Sequence, residues 1–321
     1  MDVADGVLVT GGSGFLGRSA VAALAKGDGP EGPVVSADLR IPEPDQRVPG
    51  VVYATADVTD RGAIGDLIGE HGVGTVVHLA SIVNPGRDTT PEREYEVDVE
   101  GSRNVLEASV EHGVRRIVIS SSGAAYGYHA DSPVPLVETD PIRGNRAFPY
   151  SFHKRLVEEM LAGYRESNPE LEQVVLRIGT ILGETVDNQI TALFRRDRLL
   201  KVRGSETPFV FIWDEDVAAI IARAAGSGPP GIYNVAGDGT VPLDLIAGEL
   251  GKPTIALPAW LIKTALLVGH RLGRTPHGPA QVDFLRYRPV LDNTRLKEVF
   301  GYTPKMTSLE AFTAWREAQG L

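Results

Sequence analysis

Val7-Leu8-Val9-Thr10-Gly11-Gly12-Ser13-Gly14-Phe15-Leu16-Gly17 is the stretch on which the reading of the whole chain turns. Val7, Leu8 and Val9 predict a buried strand of parallel type. Phe15 and Leu16, with Ala20, Ala23 and Leu24, predict an amphipathic helix ending near Lys26-Gly27. Between them the glycines fall as G-x-x-G-x-x-G at Gly11, Gly14 and Gly17, with Gly12 and Ser13 completing the turn. Backbone N–H groups and a helix N-terminus reach a phosphate only where no Cβ intrudes. Gly11 is expected to permit the tight turn, Gly14 the close approach of a pyrophosphate, and Gly17 the packing of helix on strand. Glycine-rich turns are common loops, but the strand before this one and the helix after it make it a candidate dinucleotide cradle.

Outward from that turn, Val34-Val35-Ser36-Ala37 reads as a second strand ending at Asp38, 21 positions after Gly17. A carboxylate there accepts hydrogen bonds from both hydroxyls of an adenosine ribose and repels a 2′-phosphate. NAD is therefore the expected cofactor, with Asp38, Leu39 and Arg40 at its adenosine end. Arg40 keeps NADP as the less favoured choice. Further strands are expected at 51–54, 75–79, 116–119 and 173–176, and helices at 61–70, from Thr90-Pro91-Glu92 to Gly113, and after Pro149. His78 is expected to sit satisfied within the sheet, since no second ligand type accompanies it.

This alternation predicts an α/β fold, a Rossmann-type doubly wound parallel sheet with a smaller interleaved C-terminal substrate domain. Residues 1–178, with returning segments at about 207–237, form the expected NAD-binding domain. About 179–206 and 238–321 form the substrate-binding part. Strands at 209–212 and 231–235, and a helix at 214–225, are expected to return to the sheet. Ligands of such sheets lie at the carboxyl ends of the strands, and the glycine turn, Asp38, Ser81 and Ser122 all follow strand ends.

The chain has 321 residues, 42% hydrophobic and 23% charged, with a formal net charge of −10. That is an ordinary globular composition, and the charge argues against a nucleic-acid surface. Cysteine is absent, which removes disulfides, thiolate metal sites and cysteine nucleophiles and fits a reducing cytoplasm. The acidic start Met1-Asp2-Val3-Ala4-Asp5 leads straight into the first strand, so no signal peptide is expected. The apolar run at 255–269 is broken by Pro258 and Lys263 and is shorter than the ~20 residues a span requires. It is expected to be a buried or lid-forming helix, with no membrane contact. No metal is expected.

Tyr150 and Lys154 form Y-x-x-x-K on the helix after Pro149, one turn apart on one face. Their unperturbed pKa values are ~10 and ~10.4. An ammonium near the phenol favours the phenolate, and an oxidised nicotinamide favours it further. Such a tyrosine exchanges a proton with a substrate hydroxyl or carbonyl near neutral pH. Ser122, at a neighbouring strand end, supplies the hydroxyl that orients the substrate oxygen.

The ordered set of motifs resembles the extended short-chain dehydrogenase/reductases, in their NAD-dependent epimerase/dehydratase branch. It comprises T-G-G-S-G-F-L-G at 10–17, A-D-V-T-D at 56–60, H-L-A-S at 78–81, S-S-S-G-A-A-Y-G at 120–127, P-Y-S-F-H-K at 149–154, D-E-D-V-A at 214–218 and Y-N-V-A-G at 233–237. The resemblance implies Tyr150 as acid/base, Lys154 on the nicotinamide ribose and Ser122 on the substrate oxygen. It implies Asp57 and Val58 beside the adenine, Leu79, Ala80 and Ser81 along the dinucleotide, Ser120 at the strand end beneath it, and Ile178 near the nicotinamide. It also implies a homodimer formed through the helices around 91–112 and 150–166.

Three departures bear on the substrate. Asp98 stands where the family usually has Asn. Thr180 follows the sixth strand where nucleotide-sugar enzymes usually place Asn. Phe209 replaces an Arg that commonly clamps a substrate pyrophosphate, a task suited to the bidentate guanidinium. Phe209, Phe211, Trp213 and the run Trp260-Leu261-Ile262 either line an apolar pocket or belong to the core. Arg195, Arg196, Arg198, Lys201 and Arg203 form a basic run that either reaches a phosphate or, the favoured reading, is a solvated helix face. The first functional reading is NAD-dependent hydride transfer on a small-molecule alcohol or carbonyl. A nucleotide-sugar epimerase or dehydratase with retained NAD is the alternative, and a non-catalytic NAD-binding sensor the third.

Overall fold

The computed structural model describes residues 5–86, 89–205, 208–272, 274 and 278–321. The readings at Met1 to Ala4 and at Thr207 lie outside the described residues. The first half runs β1 (Gly6–Thr10), α1 (Phe15–Ala23), β2 (Val34–Asp38), β3 (Val52–Thr55), α2 (Arg61–Glu70), β4 (Val73–His78), α3 (Pro91–Tyr95), α4 (Gly101–Glu111), β5 (Arg116–Ser122), α5 (Pro149–Ser167) and β6 (Glu172–Ile178). The second half runs β7 (Thr180–Leu182), α6 (Gln189–Phe194), β8 (Leu199–Val202), β9 (Phe211–Trp213), α7 (Asp214–Ala225), β10 (Gly231–Val235), α8 (Leu243–Glu249), β11 (Thr254–Leu257), α9 (Ala259–Arg271), α10 (Gln281–Arg286), α11 (Thr294–Glu298) and α12 (Ser308–Ala318).

Seven strands form one parallel sheet in the order β10-β6-β5-β4-β1-β2-β3. The strand period of two sorts its side chains to opposite faces. Val7, Val9, Val77, Val118, Val174 and Leu176 pack with α1 and α7 on one side. Leu8, Val76, Ile117, Ile119 and Val175 pack with α2, α4 and α5 on the other. Parallel strands put all their carboxyl ends on one rim, so Thr10, Asp38, His78, Ser122 and Ile178 share that edge.

Two expectations change here. β10 and α7 join the main sheet and its helical layer, but β9 does not. It pairs with β7 in a two-stranded parallel sheet, because β10 already occupies the free edge of β6, Gly231 opposite Val174 through Val235 opposite Ile178. The apolar run at 255–269 is neither one helix nor buried. β11 pairs with β8, Pro258 caps α9, and α9 buries only Ile262. No helix among the described residues is long and apolar enough to cross a membrane.

Phe209, Phe211 and Trp213 resolve to core: they pack with Leu182, Phe194, Val241, Phe312 and Trp315. Trp260 is instead exposed, so it lines no pocket. Arg195, Arg196, Arg198 and Arg203 are exposed. Arg195 pairs with Asp187 and Lys201 with Asp244; the run is solvated but not helical, since it follows the end of α6 and runs into β8.

Candidate functional site

The glycine turn leaves β1 with Gly11 at φ +71°, a left-handed conformation that glycine adopts without steric cost. A Cβ on Gly11 would stand 2.7 Å from the Ala80 backbone nitrogen, and one on Gly17 would stand 2.1 Å from the Gly11 carbonyl oxygen. The turn is thus pressed against Ala80 on one side and against the start of α1 on the other. At Gly14 the nearest atom to such a Cβ is the Gly11 oxygen at 3.2 Å. Gly14 caps α1 without a side chain, and the first turn of α1 holds no acidic residue. Such a bare helix N-terminus favours an anion. The Ser13 hydroxyl is buried there without a hydrogen-bond partner, and the Ser13 N–H donates to Asp38 Oδ2 at 3.0 Å. The carboxylate of Asp38 is therefore tied to the cradle, with Leu39 and Arg40 exposed beyond it. A bare backbone cradle, a buried hydroxyl in need of a partner and a carboxylate beside them fit a dinucleotide.

The other rim residues follow. Asp57 accepts from the Thr59 N–H at 2.9 Å and from Arg93 at 2.7 Å. Burial opposes its ionisation, but these donors and the Arg93 charge hold its carboxyl below the usual range. Val58 is buried under Gly101. Leu79 continues from β4, its N–H donating to the Thr10 carbonyl at 3.1 Å, and Ala80 touches the glycine turn. Ser81 donates to Asp98 Oδ1 at 2.9 Å, beside the Ile82 N–H at 2.8 Å. The second oxygen of Asp98 meets His153 Nδ1 at 3.0 Å, with both side chains buried. Burial opposes this charge too, yet His153, Lys154 and the Ile82 and Ser81 donors keep the carboxyl low.

His78 is satisfied within the sheet, as expected. Its Nδ1 meets Thr10 Oγ1 at 2.7 Å and its Nε2 meets Ser102 Oγ at 2.9 Å. Ser102 donates its own proton to the Asp98 carbonyl at 2.6 Å, so His78 donates from Nε2 and accepts at Nδ1 from Thr10. Burial and the Lys154 charge bring its pKa down to about 3.

α5 delivers Tyr150 and Lys154 to the rim beside Ser122. Pro149 occupies the first turn of α5, where its missing N–H costs nothing. Ser122 ends β5, opposite Ile178 of β6, and its Oγ accepts from the Ala124 N–H at 3.1 Å. The Ser122 hydroxyl also lies near enough to the Tyr150 phenol to draw its pKa down. Lys154 is buried, lies 5.5 Å from the centroid of the Tyr150 ring and donates to the Ser120 carbonyl at 2.8 Å. The Ser120 hydroxyl reaches the His78 carbonyl at 3.4 Å.

The expected lowering of the Tyr150 pKa is not found. Burial pushes it up to about 12, the Asp98 charge adds to the rise, and only the Ser122 hydroxyl opposes it. The Lys154 ammonium is committed to a backbone carbonyl, and burial pulls its own pKa down against Asp98 and Glu158. The site thus holds a neutral phenol at neutral pH.

Several residues here gave no sequence signal. Glu158, one turn past Lys154, takes the Ser121 hydroxyl at 2.5 Å and the Arg177 guanidinium at 2.7 Å, all buried. Tyr128 stacks edge-on against Phe148 at 5.0 Å and Phe284 at 5.2 Å. Leu291 lies against Gly123 and Gly179. Arg288 lies face-on over Phe209, its Cζ 3.9 Å from the ring centroid. Asp98 did stand out in the sequence, as a departure from a pattern. Its partner His153 sat inside the Y-S-F-H-K run without distinction.

A UDP-glucose 4-epimerase of Erwinia amylovora is 34% identical to the chain over 57% of it and 56% of that enzyme. An uncharacterized protein of Mycobacterium tuberculosis is 26% identical over 98% of the chain and 84% of the relative. The crystal structure of a Thermus thermophilus UDP-glucose 4-epimerase in complex with NAD is 26% identical, covers 98% of both chains and superposes with a TM-score of 0.71. The family profile matches residues 7–236, and with this fold and rim the chain belongs to the NAD dependent epimerase/dehydratase family.

Proposed function

We propose that the chain binds NAD along the rim and exchanges a hydride and a proton with an alcohol or carbonyl carbon of a small-molecule substrate. The observation that carries this reading is the meeting of Ser122, Tyr150 and Lys154 at one end of the glycine cradle. In this reading Gly11, Gly12, Ser13, Gly14, Phe15, Leu16 and Gly17 hold the pyrophosphate. Asp38, Leu39 and Arg40 meet the adenosine ribose, Asp57 and Val58 the adenine, and Leu79, Ala80, Ser81, Ser120 and Ile178 the remainder. When bound, NAD supplies the carbon that accepts and returns a hydride. Residues 1–178 and about 207–237 form its domain, and the remaining segments close over the substrate.

The residues divide the proton work. With its pKa near 12, Tyr150 keeps its proton at neutral pH and is suited to protonate a forming alkoxide. Ser122, beside the phenol, hydrogen-bonds the substrate oxygen and shares the charge that develops there. In the opposite direction the phenol must first give up its proton to solvent, a loss that the positive charge of an oxidised nicotinamide would favour. Lys154, anchored on the Ser120 carbonyl, also donates to the ribose.

One observation favours the epimerase reading as the second. The Arg absent from position 209 is matched by Arg288, whose guanidinium rests on the Phe209 ring. Burial pulls its pKa down to about 10, which leaves it cationic at neutral pH and able to face a diphosphate. The UDP-glucose 4-epimerases among the relatives support the same substrate class.

Calorimetry with NAD and NADP tests the shared part: uptake of NAD is expected, and no uptake of either dinucleotide overturns it. Net NADH formed from an alcohol then supports oxidoreduction, whereas isomerised UDP-sugar without net NADH supports epimerisation. Tyr150→Phe is expected to lower either turnover ~10²–10⁴-fold while NAD affinity holds. A Tyr150→Phe protein that keeps its function in vivo would favour the sensor reading.

A further inference from the structure

The outer side of α9 serves neither the fold nor the proposed chemistry. Its inner side, Ile262 with Ala259 and Leu266, packs against Val202, Val282 and Leu285. Trp260, Leu261, Leu267, Val268 and Leu272 are all exposed, Trp260 to 68%. At ~100° per residue these five side chains fall within an arc of about 140° directed away from the core side. A soluble surface helix presents charged and polar residues on that side. Here a tryptophan and four aliphatic residues share the arc with Thr264 and Arg271 alone, and exposed apolar surface of this kind marks an interaction site.

Charge identifies the partner. Between Glu249 and Asp283 the chain contains no acidic residue, although 42 of its 321 residues are Asp or Glu. At that frequency a stretch of this length would contain about four. The same stretch carries Lys252, Lys263, Arg271 and Arg274. Lys263 is paired with Asp283 and Lys252 is bonded to the Phe194 carbonyl, while Arg271 and Arg274 are exposed at the far end of the helix. A second copy packed α9 against α9 would bring the same basic ends, with no acidic group of its own stretch 250–282 to receive them. An array of lipid phosphates supplies both an apolar bed and opposite charge.

We infer that α9 docks the protein on an anionic lipid bilayer. Thirteen residues rise only ~20 Å, short of the ~30 Å hydrocarbon core, so the helix lies in the plane of the interface. Trp260, Leu261, Leu267, Val268 and Leu272 enter the boundary between headgroups and acyl chains, and Arg271 and Arg274 meet the phosphates. The docking is independent of the reaction proposed above.

Tryptophan fluorescence tests this directly. The chain has three tryptophans; Trp213 and Trp315 are buried and Trp260 is exposed, so a change of emission reports the α9 surface. With vesicles of phosphatidylglycerol and phosphatidylcholine, the full chain is expected to co-sediment and its emission to shift to the blue. Added salt is expected to weaken both effects. The variant Leu267→Ser with Val268→Ser should lose at least about tenfold in vesicle affinity, with near-UV circular dichroism and NAD uptake unchanged. Equal binding to pure phosphatidylcholine, no binding to either vesicle, or unaltered binding by the double variant overturns the inference. So does a blue shift that appears without lipid as protein concentration rises, with a dimer in sedimentation that the double variant abolishes, because a second copy would then be the occupant.

Discussion

At the scale of single residues, the environment of His78 has a consequence for stability against pH. Its folded pKa of about 3 lies below the ~6.5 of an unfolded histidine. Below pH 6.5 the unfolded chain therefore binds a proton that the folded chain refuses. The stabilisation is complete above that pH and declines as pH falls toward 3, by up to ~1.4 kcal/mol per pH unit. Urea midpoints between pH 7 and 5, above the range where carboxylates titrate, are expected to fall in the wild type. His78→Gln, which keeps one donor and one acceptor, is expected to flatten that slope, and parallel slopes would refute the assignment. The satisfied role of His78 was legible in the sequence because it rested on what was missing nearby. The Tyr150 pKa was not. A one-turn spacing to Lys154 says that two side chains share a face, but not that the ammonium is held by the Ser120 carbonyl or that Asp98 adds opposing charge.

At the scale of elements, α5 is locked to the sheet by the buried pair of Glu158 and Arg177. The same guanidinium also meets the Tyr126 hydroxyl at 2.8 Å and the Glu138 carbonyl at 3.0 Å. Glu158 lies one turn past Lys154 and two past Tyr150, so this lock sets how far α5 projects those two side chains toward the rim. Glu158→Ala leaves a buried guanidinium unpaired and is expected to cost ~3–5 kcal/mol in urea unfolding. Adding Arg177→Met should recover part of that loss, since it removes the stranded charge; no recovery would mean that the pair stabilises through packing alone. Neither partner was singled out in the sequence, because a helix-to-strand pair leaves no periodic trace. Elements whose signals are local fared better. The helix 61–70 was legible from Asp60, whose side chain accepts the Ala63 N–H at 3.1 Å. The strand at Phe209 was misplaced because sheet membership depends on which edges remain free.

At the scale of the whole molecule, the cradle and its parallel sheet were legible because each βα unit carries its own pattern, and the right-handed crossover rule orders them. The second half was harder, since its small sheets and aromatic core join segments far apart in sequence, such as Phe194, Phe211 and Trp315. Self-association through the helices around 91–112 and 150–166 is expected from the family resemblance. Sedimentation at micromolar concentration should then return twice the 34.4 kDa chain mass, and Val110→Glu, at an exposed site on α4, should shift it toward the monomer. A monomeric wild type would remove this expectation. The interleaved order of the sheet also bears on how the protein is made. α1, which follows the cradle directly, buries Ala20 and Val21, together with the Leu24 that caps it, in the cluster that includes Ile221 and Ala225 of α7, and that cluster is closed by Leu296 and Phe300. On the ribosome, α1 therefore emerges well before α7, Leu296 and Phe300, and its apolar side must wait for them before its partners exist. A nascent chain halted soon after residue 178 would expose this bare flank to chaperones and have no firm grip on a nucleotide.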